Sequence, residues 1–381
     1  IFQLADRLSC AAEVELQLPA GAAEPRPVLS VLPVREKVSD LVRICQVPYC
    51  DLSFVELALR VAMPPRRVHL VEVGANLGDC TVWMAAHFGR RLRAAVALEP
   101  LPALAAALRR SVERNGWQSR VRVVEAAASD RAGNGTFHLL GQSLGNPFAL
   151  ASGVAPRGAP SAPRLPVRYT TLAEVLAEMP HPGSSVGVLK IWAYGDLLRV
   201  LAGAPPDLGR RFSAVWMAFP ADHFPAPAGV FARIAAFFQR RHFTLAAPAA
   251  EVDWCVARRR LGNHGEFLRW MRPQILSARR KHRVLFFAAY RPGGLRCPPW
   301  SAQAGSSRRP PPAGGRGPGR PEHCHFGHSA RQLAQWRRGA GYESYFLHDE
   351  LAPSVLEPGG GPSRSKGRAA ADGPQRDRGK K

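Results

Sequence analysis

Residues 68–79 read Val-His-Leu-Val-Glu-Val-Gly-Ala-Asn-Leu-Gly-Asp, an apolar run that passes straight into a turn bounded by two glycines. Val68 to Val73 is short, Val-rich and apolar at nearly every position, the pattern of a parallel strand covered by helices on both faces. Gly74 and Gly78 lack a Cβ, so the backbone between them can turn sharply and approach a ligand closely. Thr81 to Phe88 then reads as a helix with apolar Val82, Trp83, Ala85, Ala86 and Phe88, whose N-terminus offers free N–H groups to that ligand. The stretch predicts a strand–turn–helix unit that holds a nucleotide-like cofactor.

Moving outward, a second strand at Ala94 to Leu98 ends in Glu99-Pro100, about twenty residues past the turn, where an acidic residue suits a ribose diol. Pro100 and Pro102 open a helix over Ala103 to Asn115, since a fixed φ and a missing N–H cost little there. Val121 to Ala127 reads as a third strand, closed by Ser129-Asp130. Strands and helices thus alternate, as in a doubly wound, mostly parallel α/β sheet. Further on, Thr171 and Glu174 form a capping box at a helix start, and Ser213 to Phe219 reads as another strand. Val230 to Gln239 is an apolar-faced helix, and Phe243-Thr244-Leu245 a strand that completes the sheet.

The turn narrows the choice of cofactor. A dinucleotide site wants G-x-G-x-x-G, whereas Ala75-Asn76-Leu77 separates the two glycines and leaves no second Gly where a pyrophosphate would press. No G-x-x-x-x-G-K-[ST] loop accompanies it, which argues against a nucleoside triphosphate. S-adenosylmethionine remains, with a ribose diol for Glu99, no phosphates and a compact amino-acid end for the turn.

The ordered blocks VEVGANLGDCTVWMA, ALEPLP, RNGW, VRVVEAAASDRAGNGTFHL, YTTLAEVL and LKIWAYGDLLRVLAGA resemble the FkbM family of S-adenosylmethionine-dependent methyltransferases. The resemblance runs from about Val68 to Pro220 and implies a class I, Rossmann-like fold. It implies that Glu72, Gly74, Asn76 and Gly78 form the first cofactor loop, that Glu99 holds the ribose hydroxyls, and that Ser129 and Asp130 lie beside the adenine. The chain departs from the family after Lys190-Ile191. Where Asp-x-Glu-Gly is usual it has Trp192-Ala193-Tyr194-Gly195, and the strand at 213–219 lacks the usual glutamate. Asp196, or His223 after the last of these strands, is the candidate to replace the lost acids in catalysis.

Each residue also has a plainer reading. Glu72 caps a strand end, although an acid inside an apolar strand is costly to bury without a partner. Asp130 sits in a turn where Asp is common, Trp192 and Tyr194 pack rather than form an aromatic cage, and His223 is an ordinary loop histidine. Lys190 ends a strand at the surface rather than touching an acceptor.

With 381 residues, 46% of them hydrophobic, the chain can bury a full core. Residues 1–67 read as an N-terminal extension with a helix at Phe54 to Ala62, and 68–291 as the methyltransferase-like domain with an insertion loop at 141–166. Residues 292–381, rich in Pro, Gly, Ser and Arg, read as a largely disordered basic tail with a short helix at Ser329 to Arg338. The net charge of +23 raises a nucleic-acid partner, yet the charge is spread along the chain without a recognition motif. His323, Cys324, His325 and His328 are zinc-type ligands without a second Cys pair, so no metal is expected. Seven scattered cysteines, Cys80 among them in a core element, point to reduced thiols and an intracellular, cytoplasmic location, with a targeting segment before Ile1 left open. No stretch reaches the roughly eighteen apolar residues of a membrane span, and no fixed-period repeat is seen. Three functions follow in order: O-methylation of a small molecule or sugar, cofactor binding without turnover, and RNA binding through the basic tail.

Overall fold

The structure is a computed structural model that describes residues 13–17, 26–32, 38–39, 42–43, 46, 48–62, 66–139, 151–152, 164–179, 185–193, 196–246, 264–280 and 284–291. It begins with a two-stranded antiparallel sheet, β1 (Glu13–Glu15) and β2 (Val28–Ser30). Helix α1 (Leu52–Val61) follows, started by Asp51, whose carboxylate accepts from Ser53 N at 2.8 Å. Strand β3 (Val68–Val73) is buried along its whole length, and helix α2 (Asp79–Phe88) is buried except at His87. Strand β4 (Leu92–Leu98), helix α3 (Pro102–Arg114) with Pro102 in its first turn, and strand β5 (Val121–Val124) complete the first half. Ser30 N donates to Ser111 Oγ at 2.8 Å, and Asn115 bonds Val28 in both directions, so α3 anchors β2 by its backbone.

The third strand is shorter than its apolar run predicts. After Val124 the chain turns, with Ala126 N bonded back to Val124 O, and β6 (Ala127–Ser129) enters a second sheet. That sheet is ordered β6-β9-β7-β8, with β7 (Gly133–Leu139), β8 (Ala151–Ser152) and β9 (Arg164–Thr171). An apolar pattern reports burial but not which sheet receives the residue, which is why the hand-over is invisible in the sequence. Strands β8 and the start of β9 fall within the expected insertion loop at 141–166, whose other residues lie outside those described. Thr171 caps α4 (Leu172–Ala177), and the capping box has both of its bonds, each 3.0 Å long.

The second half returns to the main sheet. It comprises β10 (Val186–Ile191), α5 (Leu197–Ala202), α6 (Leu208–Arg211), β11 (Ala214–Pro220), α7 (Pro227–Gln239), β12 (Thr244–Ala246), α8 (His264–Arg280) and β13 (Val284–Tyr290). The seven strands lie in the order β12-β13-β11-β10-β3-β4-β5. Only β13 runs against the others, pairing antiparallel with both β11 and β12. The expected closing strand at 243–245 is therefore the sheet's edge, and α8 and β13, which the sequence reading passed over, insert the reversed strand beside β11. A centre-out path through β3, β4 and β5, a return to β10, and one reversed strand near the far edge make this a Rossmann-like class I methyltransferase fold.

Alternation along each strand divides the core into two layers. Val68 and Leu70 of β3, Val188 of β10 and Trp216 of β11 face the layer that holds α1 and α2. Val71, Val73, Leu189, Ile191, Val215 and Met217 face the layer built on α7 and α8. Helix α1 is fixed to the first layer by Trp216 Nε1, which donates to Ser53 Oγ at 2.8 Å.

The thiol expectation is corrected at Cys80. Cys50 and Cys80 lie 4.8 Å apart at Cα and form a disulfide, which joins the residue before the α1 cap to the first turn of α2. Sequence spacing alone could not reveal the pair, because β3 and the glycine turn bring the two residues together. Closing thirty residues in this way stabilises the fold by about 3–4 kcal/mol on the chain-entropy account. No helix among the described residues is long and apolar enough to cross a membrane. The expected basic tail at 292–381, its short helix and the His323 to His328 cluster lie outside the described residues, as do Tyr194 and Gly195.

Candidate functional site

Chain order reverses between β3 and β10, and their parallel register brings Val73 level with both Leu98 and Ile191. The residues that follow these strands therefore share one edge, with a crevice where the connections part. Gly74 and Ala75 donate their N–H groups to Leu98 O at 3.0 Å each, and Gly78 N donates to Ala75 O at 2.8 Å. Gly74, Asn76 and Gly78 all have positive φ, at 75°, 54° and 79°, a left-handed path that glycine and asparagine tolerate best. At Gly78 the missing Cβ also admits Leu108 of α3, whose Cδ1 would otherwise lie 2.0 Å away.

Glu99 reaches this turn from the end of β4. Its Oε2 accepts from Asn76 N at 2.7 Å and its Oε1 from Leu101 N at 3.0 Å. Gly74, Asn76 and Gly78 of the turn are thus brought together with Glu99, and Glu72 lies in the strand that leads into the turn. Burial pushes the Glu99 carboxyl up to about 7, against the opposing pull of the Leu101 and Asn76 N–H groups, and the Glu72 charge adds to the rise.

This shift has a stability consequence with a definite sign. Because the folded chain holds a proton that the unfolded chain releases, the contribution of Glu99 is full below about pH 4.5 and is lost as pH rises through 7. The span corresponds to about 3 kcal/mol. Relative to the parent, a Glu99→Gln variant should gain about that much stability between pH 4.5 and 8 in urea unfolding. A pH-independent difference between the two proteins would refute the shift.

Lys190 is the main correction to the site. Instead of ending a strand at the surface it is 5% exposed, and its Nζ donates to Glu72 Oε1 at 2.6 Å. Register places it there: Lys190 pairs with Glu72 on one side and with Trp216 on the other, so all three point into the α1–α2 layer. Glu72 is fully buried and accepts from Thr81 Oγ1 through its second oxygen. The ammonium lies 5.7 Å from the Phe54 ring centre, 5.6 Å from Trp192 and 5.9 Å from Trp216, within cation–π range. Trp192 packs against Trp216 and Phe286, as the plainer reading expected.

The remaining candidates form a separate group. Ser129 Oγ donates to Asp130 Oδ1 at 2.9 Å, and Arg199 of α5 donates to the same oxygen at 3.1 Å, which holds Asp130 below the usual carboxylate range. Arg199 also pairs with Asp196 at 3.7 Å and lies over the Tyr169 ring at 5.5 Å. Asp196 is buried just before α5, and His223 ends a short 3-10 turn beyond β11 and is half-buried. Ser129, Asp130 and Asp196 are therefore linked to one another through Arg199, whereas Glu99 is bonded to the glycine turn.

Asp79, quoted in the sequence only as the end of the turn, was not singled out. It is buried at the start of α2, and burial raises its carboxyl to about 6 while Lys190 pulls it down. Its position directly after Gly78 was the available signal. Among the described residues, no three His, Cys, Asp or Glu side chains are placed to hold a metal ion.

Among solved structures the chain resembles a methyltransferase FkbM from Methylobacillus flagellatus at 10% identity and a TM-score of 0.36, covering 67% of this chain and 54% of that one. It also resembles a precorrin-6Y C5,15-methyltransferase from Geobacter metallireducens, at 10% identity and a TM-score of 0.31, covering 63% and 85% of the two chains. A geranyl diphosphate methyltransferase in complex with GPP and sinefungin matches at 13% identity and a TM-score of 0.30, covering 63% and 78%. The chain thus spans about half the length of the first of these. No protein-family model matches the sequence. No curated protein matches it either.

Proposed function

We propose that the chain is an S-adenosylmethionine-dependent methyltransferase of the FkbM type, which methylates a hydroxyl of a small molecule or sugar. The observation that carries this reading is the hydrogen bond from Asn76 N to Glu99, which ties a buried carboxyl to a glycine turn that lacks the dinucleotide and triphosphate glycine patterns. The residues fit such a cofactor: Gly74, Asn76 and Gly78 hold the left-handed path of the turn, Glu99 beside it is assigned to the ribose diol through the lone pairs that its two N–H bonds leave, and Asp79 has a buried oxygen without a hydrogen-bond partner among the described residues. Ser129 and Asp130 are assigned to the adenine side.

When bound, the cofactor supplies an already electrophilic methyl group. The protein's part is then to hold the acceptor oxygen in line, worth up to about 7–11 kcal/mol of the barrier, and to take its proton, worth about 10²–10⁴ in rate. Asp196 and His223 are assigned to the second task, since positions 192 and 194 carry no acid.

A second reading, cofactor binding without turnover, draws support from Trp192, whose ring is spent on packing against Trp216 and Phe286. Titration calorimetry with S-adenosylhomocysteine tests both readings. Micromolar binding by the parent, weakened at least about tenfold in Glu99→Ala, is expected. No binding by the parent would end both. Binding followed by no methyl transfer to any hydroxyl acceptor would favour the second.

A further inference from the structure

The outer face of α7 and α8 carries arginines that have no partner in the fold. Helix α8 turns Phe267, Met271, Ile275 and Ala278 to the core and packs on α7, where Phe267 meets Phe231. At about 3.6 residues per turn, its other side presents Arg269, Leu276 and Arg280 along one line and Arg272 and Arg279 along the next, all of them exposed. Arg233 of α7 and Arg240 at its C-terminal cap are exposed as well, two turns apart on one face. None of these six arginines makes an ion pair or a side-chain hydrogen bond among the described residues, whereas Arg109, Arg122 and Arg211 elsewhere each hold a carboxylate. The two helices cannot neutralise the charge themselves, since α7 has no acidic residue and α8 only Glu266.

The face is not cationic throughout. Leu276 is 43% exposed, the one large apolar side chain so exposed among the described residues, and it lies between Arg272 and Arg279 along α8. A single surface leucine is ordinary. Its place within a row of unpaired cations gives it meaning, because one kind of partner satisfies both features. We infer that this face docks on a membrane surface that carries anionic phospholipids. Guanidinium groups take headgroup phosphates through paired hydrogen bonds, their methylene stems lie along the apolar boundary, and Leu276 enters it. The helix lies on the bilayer and does not cross it, being neither long nor apolar enough for a span. A nucleic acid would meet the same arginines through its phosphates but would offer Leu276 no apolar phase. An arginine-rich composition accounts for the charge of the chain, but not for the position of Leu276 within this stripe. The docking surface stands apart from the cofactor reading and does not depend on it.

Co-sedimentation of the full chain with phosphatidylcholine vesicles, with and without phosphatidylserine, tests the inference. Binding to the anionic vesicles alone is expected. Basic residues elsewhere also attract such vesicles, so the decisive comparison is between variants of equal charge. Arg272→Gln with Arg279→Gln should weaken binding about 25-fold, at about fivefold per arginine. Arg93→Gln with Arg110→Gln, which removes exposed and unpaired arginines of β4 and α3, should weaken it by less than about threefold. Leu276→Ala should weaken vesicle binding by about 3- to 10-fold and leave binding to single-stranded RNA as in the parent. All five positions are exposed, so urea midpoints matching the parent's are expected and verify that the variants fold. Equal losses in the two double variants would mean that overall charge rather than this face holds the vesicles, and would overturn the inference. A Leu276→Ala protein that binds vesicles as the parent does overturns it in favour of a phosphate polyanion such as nucleic acid. Failure of the parent to bind anionic vesicles also overturns it, and leaves the cofactor reading untouched.

Discussion

Replacing Lys190 by methionine should destabilise the protein by about 3–5 kcal/mol, because it strands the fully buried Glu72 carboxylate in an apolar layer. Methionine preserves most of the volume among Phe54, Trp192 and Trp216, so the loss is electrostatic rather than a cavity effect. The double variant Lys190→Met with Glu72→Gln should recover most of that loss, since the glutamine removes the charge and keeps an oxygen for Thr81. Desolvation offsets much of what a buried pair gains, and the pair is worth far less than either partner's loss implies. Urea unfolding of the parent, the single variant and the double variant measures the cycle. A single variant no less stable than the double would mean that Glu72 is protonated or hydrated once Lys190 is gone, and that the pair does not organise this layer.

The same pair shows what the sequence could and could not reveal. Its residues were visible: an acid in an apolar strand, and a lysine at the end of another. Their relation was not, because it depends on β3 and β10 lying side by side in a register that places residue 190 opposite residue 72. Within the turn the outcome was the reverse. Gly74, Asn76, Gly78 and Glu99 are linked by chain spacing through one helix and one strand, a local geometry that spacing encodes, and the structure brings them together. The Cys50–Cys80 bridge and the break after Val124 were hidden for the first reason, since both depend on which distant segment a residue meets. Strand β13 was hidden because it enters the sheet from beyond α8, after the apolar pattern at Phe243-Thr244-Leu245 had already supplied a strand that closes the sheet.

Gly74→Ala should destabilise the protein by about 2–5 kcal/mol. One part is conformational: a φ of 75° places an alanine in the left-handed region, which costs about 1–2 kcal/mol. The other part is steric. An added Cβ would lie 2.1 Å from Trp192 O and 3.2 Å from Trp192 C, and backbone cannot rotate away as a side chain can. Trp192 is further held by its own N–H, which donates to Val73 O at 2.8 Å, so relief must come from parting β3 and β10 at the crevice, at roughly 1–3 kcal/mol. Gly116→Ala separates the two parts, because its φ is 67° and nothing lies within 4 Å of its added Cβ. That control should lose only the conformational share, about 1–2 kcal/mol. Denaturant unfolding of both variants measures the difference, and S-adenosylhomocysteine titration should find binding weakened in Gly74→Ala alone. If the two variants lose equal stability and both bind as the parent does, the close approach of Gly74 to Trp192 is not what shapes the turn.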